Sequence, residues 1–412
     1  TETQIDTPIG HLDLLAIRVL GLALSAAVAL FANFQDLPAR FARHKWHVMF
    51  LLVCAASIAY APSGVFGVRM ILKLSAPLLF CWLVVVAIKT EAQLVKMEQA
   101  IIASGVVITI AALISRAFGI TSDPNASISG VSGLGPPGMG PPVFAAHMLP
   151  FTMLVLAAFV TQRGKWRAAL AVMGALCVVA TVERISIAAV GIGCSAVLFV
   201  GTRGFTRFVV PLGALIGAPL LFLFNSTLRG RMFYGDVNAQ SLMNDPGAAL
   251  ENLNGSGRFG LWSQVLDQFF YPHPLFGSGL GATQDLLYTH SYSGVGVVHS
   301  EYVRLLSEVG LLGTGLFAVT VIVYLFTCLR DVGAGNALAL RKYSMAALGA
   351  LVAYLVYMAT DNGLDYVGQF GMYVFALIGM KLKAAELAVV ASSQPAAEVA
   401  AARPYRFANL MS

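Results

Sequence analysis

The chain is patterned as a succession of apolar runs broken by short polar connections. Stretches of spanning length begin near residues 12, 46, 68, 98, 142, 166, 185, 207, 309, 343 and 365. Each approaches the length of roughly 20 residues that a bilayer core requires, so about eleven spans are expected. Runs such as Ala169–Val182 and Val209–Phe224 lack the polar–apolar alternation of barrel strands. Without water in the bilayer core, each segment must satisfy its own backbone, which leaves helices as the expected elements. The pattern predicts an all-α integral membrane protein of about 11–12 transmembrane helices with one large, partly helical loop. Residues 1–225 form an N-terminal helix bundle, 226–298 the large loop, 299–385 the closing helices, and 386–412 a tail.

Composition agrees: 58% of the 412 residues are hydrophobic and 11% charged, against about a quarter charged in soluble domains. The formal charge of +6 would suit a nucleic-acid binder, but the basic residues sit in short loops, as membrane topology requires, so no nucleic-acid partner is expected. Arg40, Arg43 and Lys45 mark one cytoplasmic loop; Lys89 and Lys96 mark the next. Arg163, Lys165 and Arg167, then Arg203 and Arg207, then Arg330, Arg341 and Lys342 mark three more. Lys381 and Lys383 place the tail on that side, and His44 and His47 read as part of its basic signal. Connections 117–141, 183–184, 226–298 and 361–365 then face outward. This count puts the N-terminus outside, and a further helix ahead of Thr1 would return it to the cytoplasm. The five cysteines, Cys54, Cys81, Cys177, Cys194 and Cys328, fall in apolar runs and read as small packing residues.

Two outward connections differ from the rest. Residues 121–142 are rich in Gly and Pro, which suits irregular backbone. The 226–298 loop contains its own amphipathic segment: within Arg258–Phe270, Leu261, Trp262, Val265, Phe269 and Phe270 recur at helical spacing, and Pro272 ends the run.

The candidate chemistry lies around these outward connections. His299 begins a polar segment running to Gly313 that enters an apolar span. Ser300 can cap that helix, placing His299 beside its positive end, where the neutral imidazole needed by a general base is favoured. Arg304 and Glu308, four apart, are expected to pair. An interfacial histidine at an ordinary helix start accounts for the same residues. Arg184, at a hairpin turn nearly too short to leave the membrane, marks either a site or a turn that snorkels into headgroups. The large loop carries three arginines (Arg229, Arg231, Arg258), no lysine and five acids. An anion there must be met by individual guanidinium forks rather than by a basic patch. Gly277-Ser-Gly279-Leu-Gly281 follows no βαβ strand, so a nucleotide fingerprint is not expected. His273, His290 and His299 lack metal-like spacing. His147 is an intramembrane polar residue without an assigned role.

The arrangement resembles the O-antigen ligase and polymerase superfamily, and within it the O-antigen ligases. The resemblance rests on His299…Tyr302…Leu305-Leu306…Glu308…Gly310-Leu-Leu-Gly313 after a large loop, Arg258…Trp262 within it, and Arg184 at an earlier hairpin. Glu183 departs from the small hydroxyl residue often found before that arginine. The resemblance implies transfer of a finished polysaccharide from undecaprenyl diphosphate to the lipid A–core oligosaccharide, on the periplasmic face of the inner membrane among membrane lipids. It implies no metal, cofactor or nucleotide. His299 would be the base, Arg184 and Arg258 the diphosphate clamp, Tyr302 a substrate contact, and Arg229 and Arg231 contacts to acceptor phosphates. An O-antigen polymerase or a protein O-oligosaccharyltransferase would use the same donor. A lipid-linked glycan transporter would call for internal repeats and broken midplane helices; no repeat is visible.

Overall fold

A computed structural model describes residues 37–120, 133–205, 258–289, 297–333 and 337–393, with scattered positions outside them. Near the N-terminus, β1 (Gln4–Thr7) pairs antiparallel with β2 (Gly10–Asp13). The rest is helical: α1 (Leu37–Arg43), α2 (Lys45–Ser57), α3 (Gly64–Ala87), α4 (Glu91–Ala117), α5 (Pro141–Gln162), α6 (Lys165–Ala180) and α7 (Arg184–Gly201). After a gap come α8 (Arg258–Val265), α9 (Ala282–Thr289), α10 (Glu301–Gly333), α11 (Leu338–Met358) and α12 (Met372–Ser393). Among the described residues six helices, α3, α4, α5, α7, α10 and α11, are long and apolar enough to cross a membrane. The chain is an all-α, multi-pass membrane protein.

The expected spans near 12 and 207 lie largely outside the described residues. Two starts move. The helix expected near 309 begins at Glu301, and the one expected near 365 becomes a π-turn, Val367–Gly371, before α12. The span near 46 is short, thirteen residues plus a 3-10 turn at Ile58–Tyr60.

Local signals account for the ends. Thr90 and Gln93 form a reciprocal capping box at the start of α4, and Pro141 opens α5, where its missing N–H is not needed. Residues Phe144–Ala158 of α5 are buried without interruption, as expected for a helix that is apolar all round. With α11 it forms the centre of the bundle; α6 and α7 pack on one side, α10 and α12 on the other, and α3 backs α12. The exposed Val107, Ile110, Leu113 and Ile114 turn one face of α4 outward.

At the basic end, several residues read as loop charges are core members. Lys342 is buried against Glu98, which also accepts from Tyr343 Oη at 2.7 Å. Lys381 is buried 2.6 Å from Asp331. His44 and His47 are also buried, and both place Nδ1 on the Tyr324 hydroxyl, at 2.9 and 3.1 Å. One hydroxyl has a single proton to give, so the two imidazoles take opposite roles toward it. Each of these groups enters the bundle because another helix supplies its partner. His147 joins them: its Nε2 lies 3.3 Å from Ser104 Oγ, which is 3.0 Å from Tyr373 Oη, tying α5, α4 and α12 together. The cysteines are free; Cys54, Cys81, Cys177 and Cys328 are buried and Cys194 partly so.

Helix α10 is broken at Gly310 (φ 62°, ψ −166°). The backbone groups released there are taken up by the segment before α9. Leu311 and Leu312 N–H donate to Pro274 and Leu275 C=O, while Ser278 and Gly279 N–H donate to Ser307 and Glu308 C=O. Irregular backbone within a membrane protein survives where other backbone satisfies it. Gly310 and Gly277 (φ 71°) meet so closely that a Cβ on either would fall within 2.5 Å of the other segment's backbone. The Gly277-Ser-Gly279-Leu-Gly281 run is therefore a packing seam.

Candidate active site

The site end of the bundle is built around the connection 359–366 between α11 and the π-turn. Two halves of the sequence meet there. The His299 backbone N–H donates to Asn362 Oδ1 at 3.1 Å, and its Nδ1 lies 3.4 Å from Asn362 Nδ2 and 3.8 Å from Asp361 Oδ1. Asp361 and Asn362 are buried while the His299 side chain keeps 29% exposure, so the imidazole faces a carboxylate on one edge and open space on the other. His299 has φ 55°, a left-handed conformation that histidine adopts more readily than most residues yet still rarely. Rare backbone held by surrounding contacts is a feature of functional sites.

Arg258, the first residue of α8, donates from Nη1 to the Thr360 carbonyl at 2.7 Å. One turn later Trp262 Nε1 donates to the Val298 carbonyl at 2.8 Å. The single helix α8 therefore grips both chains that form the site, one residue before Asp361 and one before His299. This explains the Arg258…Trp262 spacing: residues four apart share a helix face.

Arg184 opens α7, directly after the α6–α7 turn, in which Val182 has φ 58°. Its level follows from packing. Arg341 donates to Gly201 C=O at 2.9 Å, and a Cβ at Gly193 would meet Gly349 C=O at 3.0 Å. Helix α7 thus runs antiparallel to α11, and its first residue lies at the level where α11 ends. Glu183 is within electrostatic range of Tyr357 and Tyr366, and Tyr366 Oη donates to Asp361 Oδ1 at 3.5 Å. Part of the Gly- and Pro-rich connection joins them: Leu134 N–H donates to Ala180 C=O, and Tyr357 Oη donates to Pro142 C=O at 3.0 Å. Tyr302 is partly buried with its hydroxyl donating to Leu355 C=O at 2.8 Å, a tether between α10 and α11. Arg229, Arg231 and His290 lie outside the described residues.

Beneath the site is a buried ionic network. Asp365 accepts from Arg304 Nη1 and Lys73 Nζ, each at 2.9 Å. Arg304 Nη2 also stands 2.5 Å from Glu301 Oε2, and Glu301 Oε1 accepts from Leu364 N–H at 2.8 Å. Burial would push the Asp365 carboxyl up, but Arg304 and Lys73 outweigh it and hold the group below the usual carboxylate value. The expected Arg304–Glu308 pair is not made: Arg304 turns to Glu301 and Asp365, and Glu308 accepts from Thr283 Oγ1 at 2.5 Å. Ser300 Oγ accepts from Val303 N–H at 3.4 Å at the start of α10.

The cluster therefore unites His299 and Arg258, brings Arg184 to the same end, and adds Asp361, Asn362 and Asp365, which sequence reading left in an ordinary connection. Among the described residues no three His, Cys, Asp or Glu side chains gather as a metal site would require. What the arrangement can do is hold an imidazole at a solvent-open edge near a buried carboxylate, with the Arg258 guanidinium on the carbonyl of the residue before that carboxylate. Residues 168–318, which include Arg184, Arg258, His299, Tyr302 and the Gly310 break, match the family model described as O-antigen ligase (Wzy_C). No curated protein sequence matches the chain.

Proposed function

We propose that this protein, whose residues 168–318 match the O-antigen ligase family model, handles lipid-linked glycans in a bacterial membrane and is the ligase itself. In this reading it transfers a polysaccharide from undecaprenyl diphosphate to the lipid A–core oligosaccharide at the periplasmic end of the bundle. The observation that supports it best is the meeting of His299, Asp361 and Arg258 on one connection within and against the matched segment.

The acceptor hydroxyl attacks the anomeric carbon as the bond from that carbon to the diphosphate oxygen breaks. Undecaprenyl diphosphate leaves with the electron pair, and the hydroxyl proton passes to His299 Nε2. The Asp361 carboxylate, 3.8 Å from Nδ1, favours through its charge the tautomer that leaves the Nε2 lone pair free and steadies the imidazolium that forms. Arg184 and Arg258 meet the charge growing on the diphosphate, the role that preorganised donors fill in other transfers. A guanidinium has five N–H donors, so the bond from Arg258 to Thr360 leaves others for phosphate oxygens. Displacement in one step inverts the anomeric centre. Arg229 and Arg231 are assigned to acceptor phosphates, and Tyr302 supports the acceptor side through its tether.

The test is glycan transfer by the purified protein in nanodiscs supplied with lipid-linked donor, lipid A–core and chelator. Glycosylated lipid A–core is the expected product, formed undiminished in chelator. Lengthening of the lipid-linked glycan instead would identify a polymerase, and silence with both acceptors would favour a transporter. Arg258→Ala and Arg184→Ala should each lower kcat by about 10²-fold or more, as loss of a transition-state donor does. Arg258→Lys should recover little, since an ammonium lacks the planar fork. Unchanged rate and donor KM in both variants would remove the arginines from the reaction.

A further inference from the structure

Beyond the reacting groups, the structure holds a groove of about 710 Å³ formed by the α2–α3 connection and the chain that follows α8. Its walls include Tyr60, Phe269, Leu275 and Phe276, with His273 and Gln268 at the polar edge. None of its lining residues is Lys, Arg, Asp or Glu. Two of its polar groups are already engaged with carbonyls: Tyr60 Oη donates to Phe276 C=O and Ser278 Oγ to Phe269 C=O, both at 2.8 Å. A phosphate would find no cation here, whereas a hydrocarbon chain would find aromatic and aliphatic walls.

The groove is continuous with the lipid-facing surface. Its wall at Pro274–Leu275 is hydrogen-bonded to Leu311 and Leu312, and those side chains, with Ile322 and Phe326 further along α10, are exposed apolar residues. Leu275 and Phe276 are themselves more than half exposed. A chain leaving the bilayer along α10 could therefore enter without crossing a polar barrier.

The groove is also set at a useful distance from the chemistry. Trp262, which holds the chain at Val298 beside His299, precedes the groove residues Gln268 and Phe269 by six and seven positions of α8 and its π-turn continuation. At about 1.5 Å per residue this is roughly 10 Å, room for a sugar or two between a lipid held in the groove and a hydroxyl presented to His299, whereas the reacting carbon of a diphosphate donor adjoins its own lipid phosphate.

We propose that this groove seats an acyl chain of the lipid-anchored acceptor, so that the attached oligosaccharide is measured along α8 to reach the site. The assignment rests on the ligase reading and names where its acceptor lipid is held. It is tested with the full chain in detergent, using radiolabelled lipid A–core for equilibrium binding and the transfer assay in parallel. Phe276→Arg, which puts a cation in the groove, should weaken lipid A–core binding at least tenfold and raise its KM by a similar factor, with donor KM unchanged. Phe276→Leu should restore both. Core oligosaccharide stripped of its acyl chains should bind wild type and Phe276→Arg equally weakly, and excess phosphatidylethanolamine should not displace the labelled acceptor from wild type. Undiminished lipid A–core binding by Phe276→Arg, or displacement by phosphatidylethanolamine, would overturn the groove assignment while wild-type transfer kept the ligase reading intact. Wild-type protein that transfers nothing to lipid A–core would instead overturn the ligase reading, whatever the groove binds.

Discussion

Replacing His299 with alanine is expected to leave a folded protein whose transfer rate is lower by about 10²–10⁴-fold, the range that a positioned base contributes. The fold should tolerate the change because the side chain is partly exposed and its contacts are limited to the long approaches of Asp361 and Asn362. The tie of the backbone to Asn362 Oδ1 does not involve the imidazole. Alanine is less suited than histidine to φ 55°, so a modest loss of stability accompanies the change. His299→Asn, which tolerates that backbone, separates the effects: it should keep the melting temperature and still lose the rate. Asp361→Asn should lower kcat by less than either and alter the shape of the pH–rate profile, because it acts by orienting the ring. Turnover near wild type in both His299 variants would exclude the base role.

How much of this was legible in the sequence depends on where each residue finds its partner. The apolar helices were legible because their character is local: roughly 20 consecutive letters decide whether a segment can cross a bilayer. The start of α10 was legible too, through Ser300 as its cap; the pairing of Glu301, Arg304 and Glu308 was not, because it depends on distant partners. Those partners are Asp365 and Leu364, about sixty residues away, and Thr283 on α9. For the same reason Lys342 and Lys381 passed as loop charges, since Glu98 and Asp331 come from other helices. The start of α12 moved because Val367–Gly371, apolar enough to extend a span, forms the π-turn that closes the site connection.

The site divides along the same line. His299, Arg184 and Arg258 stand out in the sequence because each is a polar residue next to a loop boundary or a hairpin turn, although an ordinary interfacial histidine and a snorkelling turn account for the same letters. Asp361 and Asn362 sit in a short Asp-Asn-Gly connection of the kind that any turn uses; only the return of α11 to the His299 end makes them ring partners. Trp262 was read correctly as one face of an amphipathic helix, but its indole N–H has a second task at Val298 that hydrophobic periodicity cannot reveal.

Asp365→Ala is expected to produce the largest loss of stability, about 3–5 kcal/mol, the effect of removing one partner from a buried ion pair. With Asp365 present, the two cations Lys73 and Arg304 face two carboxylates, Asp365 and Glu301. Without it Arg304 retains Glu301, while Lys73, only 18% exposed, loses its counter-ion. The expectation is therefore directional. Adding Lys73→Met to Asp365→Ala should recover part of the melting temperature, because the unpaired charge leaves with it, whereas Arg304→Met in the same background should not. The sign of the pH dependence follows from the lowered carboxyl: the contribution of Asp365 is complete at neutral pH and disappears only as pH falls through its folded-state value. Activity should fall with stability even where the protein remains folded, since Asp365 anchors the connection that presents Asp361 and Asn362 to His299. Thermal unfolding of the four proteins in one detergent decides the matter. If Lys73→Met fails to help Asp365→Ala, the network is not held by charge balance and the connection owes its place to packing around Tyr366 and Phe370.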